Sequence, residues 1–178
     1  MESRFQYCLN IVLGNEGGYV DHPNDGGGAT NYGVTQAVFS RYLSSVGMSE
    51  RPVSSIRRSE VEAIYHQYWK DACCARLPDG LDLIVYDMAI NSGAGRAIKT
   101  LQKTLGVDVD GICGRQTLDA LHEEIVAGGV MDVCHEYLEY RREFYYKLVE
   151  RDGSQKVFLR GWLNRLQHLT SLVDKELS

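Results

Sequence analysis

The chain has 178 residues, 44% of them apolar and 24% charged, with a formal net charge of −5. That is enough for one full core or two small joined ones. The acidic balance argues against nucleic acid as a partner and against global attraction to an anionic cell wall.

No apolar run approaches the roughly 20 residues of a membrane helix, so membrane insertion is not expected. Glu2 and Arg4 stand where a leader would need an apolar core, and no signal peptide is read. The five cysteines are odd in number and irregularly spaced, and none forms a CxxC pair. A disulfide framework or a zinc site is therefore not expected. Cys8 and Cys134 fall in apolar helical phase and read as buried small hydrophobes, while Cys73-Cys74 is expected to pack at a helix end.

Phe5, Cys8, Leu9, Val12 and Leu13 recur at helical spacing, and Glu16 continues their face. Gly17-Gly18 stops that helix. Glu16 is thus a carboxyl at a helix C-terminus, turned to the core side. Burial and the negative dipole end both disfavour its charged form, which suits a general acid. A glycine-rich segment follows, with Tyr19, Pro23, Asp25, Thr30 and Tyr32, and reads as a tight hairpin or twisted loop. Such a loop can carry Asp25 and Thr30 across a cleft from Glu16. A protonated carboxyl, an ionised one and a water-holding hydroxyl suit glycoside hydrolysis.

The spacing Glu-(eight)-Asp-(four)-Thr is similar to the phage-type lysozyme pattern, which has five residues in its last gap. The fuller string Glu16-Gly17-Gly18-Tyr19, Asp25-Gly26-Gly27, Thr30-Asn31-Tyr32-Gly33-Val34-Thr35 resembles glycoside hydrolase family 108, the N-acetylmuramidases of phages and bacteria. The resemblance implies a mainly α, lysozyme-like fold with a small glycine-rich β-hairpin or loop at the active site. It implies hydrolysis of the β-1,4 bond between N-acetylmuramic acid and N-acetylglucosamine, with Glu16, Asp25 and Thr30 catalytic and Tyr19, Tyr32 and Asn91 on the substrate. No cofactor and no metal are needed, and the partner is the glycan strand of peptidoglycan, met by a monomer. A non-catalytic wall-binding or secretion-associated protein and a lytic transglycosylase are the alternatives.

After the loop, Val38, Phe39, Tyr42, Leu43 and Val46 mark a helix from Thr35, and Arg51 to Arg58 is a connector. Ser59 and Glu62 form an expected capping box for a helix striped by Val61, Ile64, Tyr65, Tyr68, Trp69 and Ala72. Arg57-Arg58 reads as a solvated face. Pro78-Asp79-Gly80 is a turn, and Leu81, Ile84, Val85, Met88 and Ala89 predict the central buried helix. At its mouth Asn91 can either contact a sugar or bond the backbone as a cap. The set Tyr86, Asp87, Asn91 and Gly93 is again similar to the family.

Ile98, Leu101 and Leu105 predict a short helix. Leu105-Gly106 through Asp110-Gly111, Gly114 and Thr117 resembles the peptidoglycan-binding repeat beside many wall hydrolases. A calcium loop is rejected there for want of the later ligands. Two long helices follow. The first, about 130–150, is striped by Val130, Val133, Cys134, Tyr137, Leu138, Phe144 and Leu148. The second, about 155–175, is striped by Phe158, Trp162, Leu166, Leu169 and Val173. Phe158 and Gly161 to Arg165 are similar to the family's closing motif, with Gly161 expected to allow close packing and Trp162 expected in the core. The organisation expected is a catalytic half at 1–92 and a helical peptidoglycan-binding-like half at 93–178. The expected setting is a phage endolysin made in the cytoplasm and released to the wall through holin-type lesions.

Overall fold

The computed structural model describes residues 3–14 and 29–178. Glu16, Tyr19 and Asp25 lie outside the described residues. The chain is mainly α and divides into two compact units, 1–69 and 70–178.

The first unit opens with α1 (Arg4–Gly14), which buries Cys8, Leu9 and Val12. A two-stranded antiparallel hairpin, β1 (Thr30–Asn31) and β2 (Val34–Thr35), leads into α2 (Gln36–Ser45). Thr35 caps α2 by accepting from the Val38 N–H at 3.3 Å, so the strand ends where the helix begins. After a short 3-10 turn at Val53–Ser55 comes α3 (Arg58–Asp71), whose Val61, Ile64, Tyr65 and Trp69 face the core. Phe5 meets the edge of Trp69 with ring centroids 5.8 Å apart.

The expected capping box at Ser59 and Glu62 is corrected. The helix starts one residue earlier than Ser59, and Glu60 turns its carboxylate back to the Arg57 N–H at 2.8 Å. That is the reciprocal half of such a box, with Arg57 at the cap. Glu62 instead pairs with Arg58 one turn away. Arg51 also bonds Glu60, and although burial pushes the Glu60 carboxyl up, these partners hold it below its usual range.

The second unit is built on α4 (Leu81–Ser92), buried at every position from Leu81 to Ala89. A helix buried on all sides needs neighbours on all sides, and α5 (Ala94–Thr104) and α7 (Val130–Arg151) supply two of them. Gly93, at φ +86, ends α4 and starts α5 in one residue, a backbone turn that a side chain would strain. The Tyr137 hydroxyl lies fully buried and donates to the Ala97 carbonyl at 3.2 Å, joining α7 to α5. α6 (Arg115–Ala127) precedes α7, and α8 (Lys156–Leu177) packs along it.

Three expectations about this unit are corrected. Cys73 does not simply pack at a helix end: it forms a disulfide with Cys113, while Cys8, Cys74 and Cys134 are buried. Burial pushes the Cys134 thiol up to about 12. Gly161 is exposed, and a Cβ there would meet nothing within 4 Å among the described residues, so it serves no close packing. The stripe of α7 turns away from the core near its end. Arg141 and Tyr145 are buried where Phe144 and Leu148 were expected, because the core contains a charge at that level.

Candidate active site

The hairpin places two of the candidate residues. Thr30 pairs with Thr35 and Asn31 with Val34, leaving Tyr32 and Gly33 at the turn with φ +51 and +72. Positive φ at both central residues is the type I′ turn, whose twist matches that of the flanking strands. Glycine adopts this at no cost, whereas tyrosine does so against its Cβ.

The turn is therefore held from outside. The Tyr65 hydroxyl donates to the Tyr32 carbonyl at 2.8 Å, and the Asn31 amide donates to the Val53 carbonyl at 3.3 Å. Gln36 accepts from the Val53 N–H at 2.6 Å and donates to the Arg51 carbonyl at 3.1 Å, tying the foot of the hairpin to the 3-10 turn. With its backbone fixed, Tyr32 presents a ring 38% exposed. Thr30 is half-buried, and among the described residues its hydroxyl makes no hydrogen bond.

In the second unit Asn91 stands exposed in the last turn of α4. Its amide donates to the Asp87 carbonyl at 2.7 Å and approaches the Asp87 carboxylate at 3.4 Å. Asp87 is the hub of a buried ion cluster. Arg141 Nη2 lies 2.6 Å from Oδ2, while Arg165 meets Oδ1 through Nη2 at 2.6 Å and Nε at 2.8 Å. Burial raises the Asp87 pKa, but the two guanidinium groups outweigh it and hold the carboxyl below its usual range. Burial likewise opposes the charge on Arg141, and Asp87 more than restores it. Arg141 Nε donates to the Tyr145 hydroxyl at 2.9 Å, and Nη1 has no hydrogen-bond partner among the described residues.

Asp87 is 1% exposed and engaged by two arginines. It holds structure and is closed to proton exchange with a glycan. The cluster joins stretches 78 residues apart, linking the Tyr86–Gly93 string to Arg165 of the closing motif. Arg141 was missed in the sequence. Its signal was positional: it sits four after Tyr137 and three after Leu138, in the apolar stripe of α7.

The Asp-Gly…Gly…Thr loop is organised around Gln102. Its amide donates to Asp110 at 2.7 Å, to the Ile112 carbonyl at 3.1 Å and to Thr117 at 3.2 Å, and accepts from the Gly111 N–H at 2.8 Å. The Asp110 carboxylate also accepts from the Ile112 N–H, the bond that does most to lower its pKa. Among the described residues no group of three or more His, Cys, Asp or Glu side chains is arranged to hold a metal.

Residues 9–93 match the family described as Glycosyl hydrolase 108, and residues 96–167 match the one described as Predicted Peptidoglycan domain. The solved structure of SagA from Brucella abortus is similar, at 34% identity over 95% of this chain and 92% of that one, with a TM-score of 0.81. No curated protein matches significantly. A mainly helical chain with one small hairpin among the described residues, with matches of this kind, defines a mainly α, lysozyme-like glycoside hydrolase acting on peptidoglycan. The chain belongs to glycosyl hydrolase family 108, with a peptidoglycan-binding region following the hydrolase region.

Proposed function

We propose that this hydrolase is an N-acetylmuramidase, cutting the β-1,4 bond between N-acetylmuramic acid and N-acetylglucosamine. Glu16 protonates the glycosidic oxygen as general acid. Asp25 and Thr30 orient a water that attacks the opposite face, and Asp25 takes its proton, so the anomeric configuration inverts. That arrangement requires carboxyls roughly 6.5–9.5 Å apart.

The observation that carries the reading is the family match over residues 9–93, a stretch that contains Glu16, Asp25 and Thr30. The hairpin supports it further, since it fixes the backbone beside Thr30 and leaves that hydroxyl uncommitted among the described residues. Tyr19, Tyr32 and Asn91 are proposed to contact the sugar. The 1–92 and 93–178 division is proposed as the functional one, and the chain is proposed to act as a monomer.

Work at the wall outside the cytoplasm agrees with the Cys73–Cys113 bridge, because disulfides persist in oxidising compartments. Among the described residues no helix is long and apolar enough to cross a membrane. Release in the manner of a phage endolysin is part of the same proposal.

Glu16→Gln tests the acid. It keeps shape and removes the proton, so reducing-sugar release from purified sacculi should fall at least about 100-fold, within the range of about 10²–10⁴ for general acids. A variant retaining more than a tenth of wild-type activity would move the acid elsewhere. Proton NMR of the first-formed product reads the stereochemistry. A β-anomer appearing before mutarotation would overturn inversion, and an anhydro sugar would replace hydrolysis by transglycosylation.

A further inference from the structure

The net charge of the chain is −5, yet α5 and α7 of the second unit enclose a cleft of about 250 Å³ with the opposite sign. Arg96, Lys99 and Lys103 line it from α5, and Lys147 and Arg151 from α7, over a floor that includes Phe144. Glu143 is the one carboxylate among the lining residues, and Lys147 neutralises it at 3.0 Å.

Local helix physics does not explain this arrangement. Arg96, Lys99 and Lys103 stand three and four apart on one face, and Lys147 and Arg151 four apart on the other. Like charges at those spacings repel and destabilise a helix. The helix dipole favours Lys103 and Arg151, which lie in last turns, but it opposes Arg96 at the start of α5. Among the described residues Lys103 and Arg151 make no ion pair.

The groups are also held in place. The Arg96 guanidinium lies 4.9 Å over the Phe144 ring. The Lys99 stem runs so close to Gly111 that a Cβ there would come within 3.0 Å of its Cε. Asp110 is near enough to feel Lys99, but its carboxylate is committed to the Ile112 N–H and Gln102. Positive groups ordered around a small cleft with an aromatic floor fit a short ligand that carries several carboxylates and some apolar surface.

We infer that this cleft is a binding site for the carboxylate-bearing peptide stems of peptidoglycan. The inference rests on the peptidoglycan reading above and assigns the stem, rather than the sugar, to this part of the molecule. Peptide stems are the source of carboxylates that remains on every cross-linkable strand of the wall, and a stem segment of two or three residues suits the cleft's size. A global field cannot draw an acidic protein to an acidic polymer, whereas a local cluster can.

The test is calorimetric titration of the full chain with a disaccharide–tripeptide muropeptide, and separately with an N-acetylglucosamine tetramer, which has no carboxylate. Wild type should bind the muropeptide at least tenfold more tightly, with affinity falling as salt rises. Lys99→Gln combined with Lys103→Gln should weaken muropeptide binding at least tenfold. Its melting temperature should stay close to that of the wild type, because the repulsion removed offsets the helix-dipole attraction lost at Lys103. Lys99→Arg with Lys103→Arg should bind as wild type does. Equal affinity for the two probes, or an unaffected Gln variant, would overturn the inference. So would tighter binding to phosphatidylglycerol vesicles, duplex DNA or a glycerol-phosphate polymer than to the muropeptide. Reducing-sugar release from sacculi by wild type reports separately on the hydrolase reading. A wall that is cut without stem preference defeats only the cleft, and a stem bound by a chain that cuts nothing defeats only the muramidase.

Discussion

Asp87→Asn should unfold the second unit more readily than any surface change. The substitution keeps size and removes the charge that balances Arg141, which is 0% exposed, and Arg165, whose side chain is 19% exposed. Removing one member of a buried pair costs about 3–5 kcal/mol because the other charge stays behind. At about 2–4 °C per kcal/mol for a chain of this size, a loss near 4 kcal/mol lowers the melting temperature by about 8–16 °C. Urea denaturation followed by circular dichroism at pH 7 measures it.

The same argument fixes the sign with pH. The folded-state pKa of Asp87 is depressed, so its contribution is present above the ordinary value of about 3.9 and fades as pH falls through the folded value. The gap between wild type and Asp87→Asn should therefore be full at pH 7 and narrow below about pH 4. Adding Arg141→Met to Asp87→Asn removes the stranded charge and should recover at least about 1 kcal/mol, the coupling expected of residues in one network. A loss below about 1 kcal/mol in the single variant, or a double variant no more stable than it, would refute the account.

Two further outcomes follow from the described geometry. The Cys73–Cys113 bridge spans a sequence separation of 40, for which chain-entropy arguments give about 4 kcal/mol; melting with and without reductant should differ by about 8–16 °C, and a Cys73→Ser/Cys113→Ser chain should melt like the reduced one. Tyr32→Asn places a residue favoured at this turn where φ is +51 and should stabilise the hairpin by about 1 kcal/mol in urea titration, while a loss of stability would show that the ring contributes more than the backbone strain removes.

The helices were legible because local signals agree. Pro78-Asp79-Gly80, Gly93 and Gly128-Gly129 break the chain where α4, α5 and α7 begin, and the apolar spacing between them has one period. The central helix was legible from the stripe Leu81, Ile84, Val85, Met88 and Ala89, whereas the burial of Asp82 and Asp87 within it was not. The capping of α3 was misplaced because two glutamates, Glu60 and Glu62, offer the same local pattern, and only the tertiary partner Arg51 separates them. The partners of Asp87 and Cys73 were not legible for a different reason. Those contacts reach 78 and 40 residues along the chain, and pairing at that range is set by the fold. At the candidate site, Thr30 and Tyr32 fell on the expected hairpin, but the bond from Tyr65 that holds the turn comes from 33 residues away, which no spacing within the loop announces.

The Asp87 cluster also ties three helices of the second unit to one another. Its three charges come from α4, α7 and α8, so the two earlier helices can bring Asp87 and Arg141 together before α8 docks. At that stage the carboxylate lacks Arg165 and the pair is more exposed to water, which weakens it. α8 supplies the second guanidinium through Arg165. Contacts of such sequence separation cost loop-closure entropy, which slows the folding of chains that depend on them. A shortened chain lacking α8 would thus retain helices yet fail to lock, and in a cell it would be exposed to proteases. The three helices are therefore coupled at this point, since the one carboxylate from α4 is the partner of a guanidinium from each of the other two.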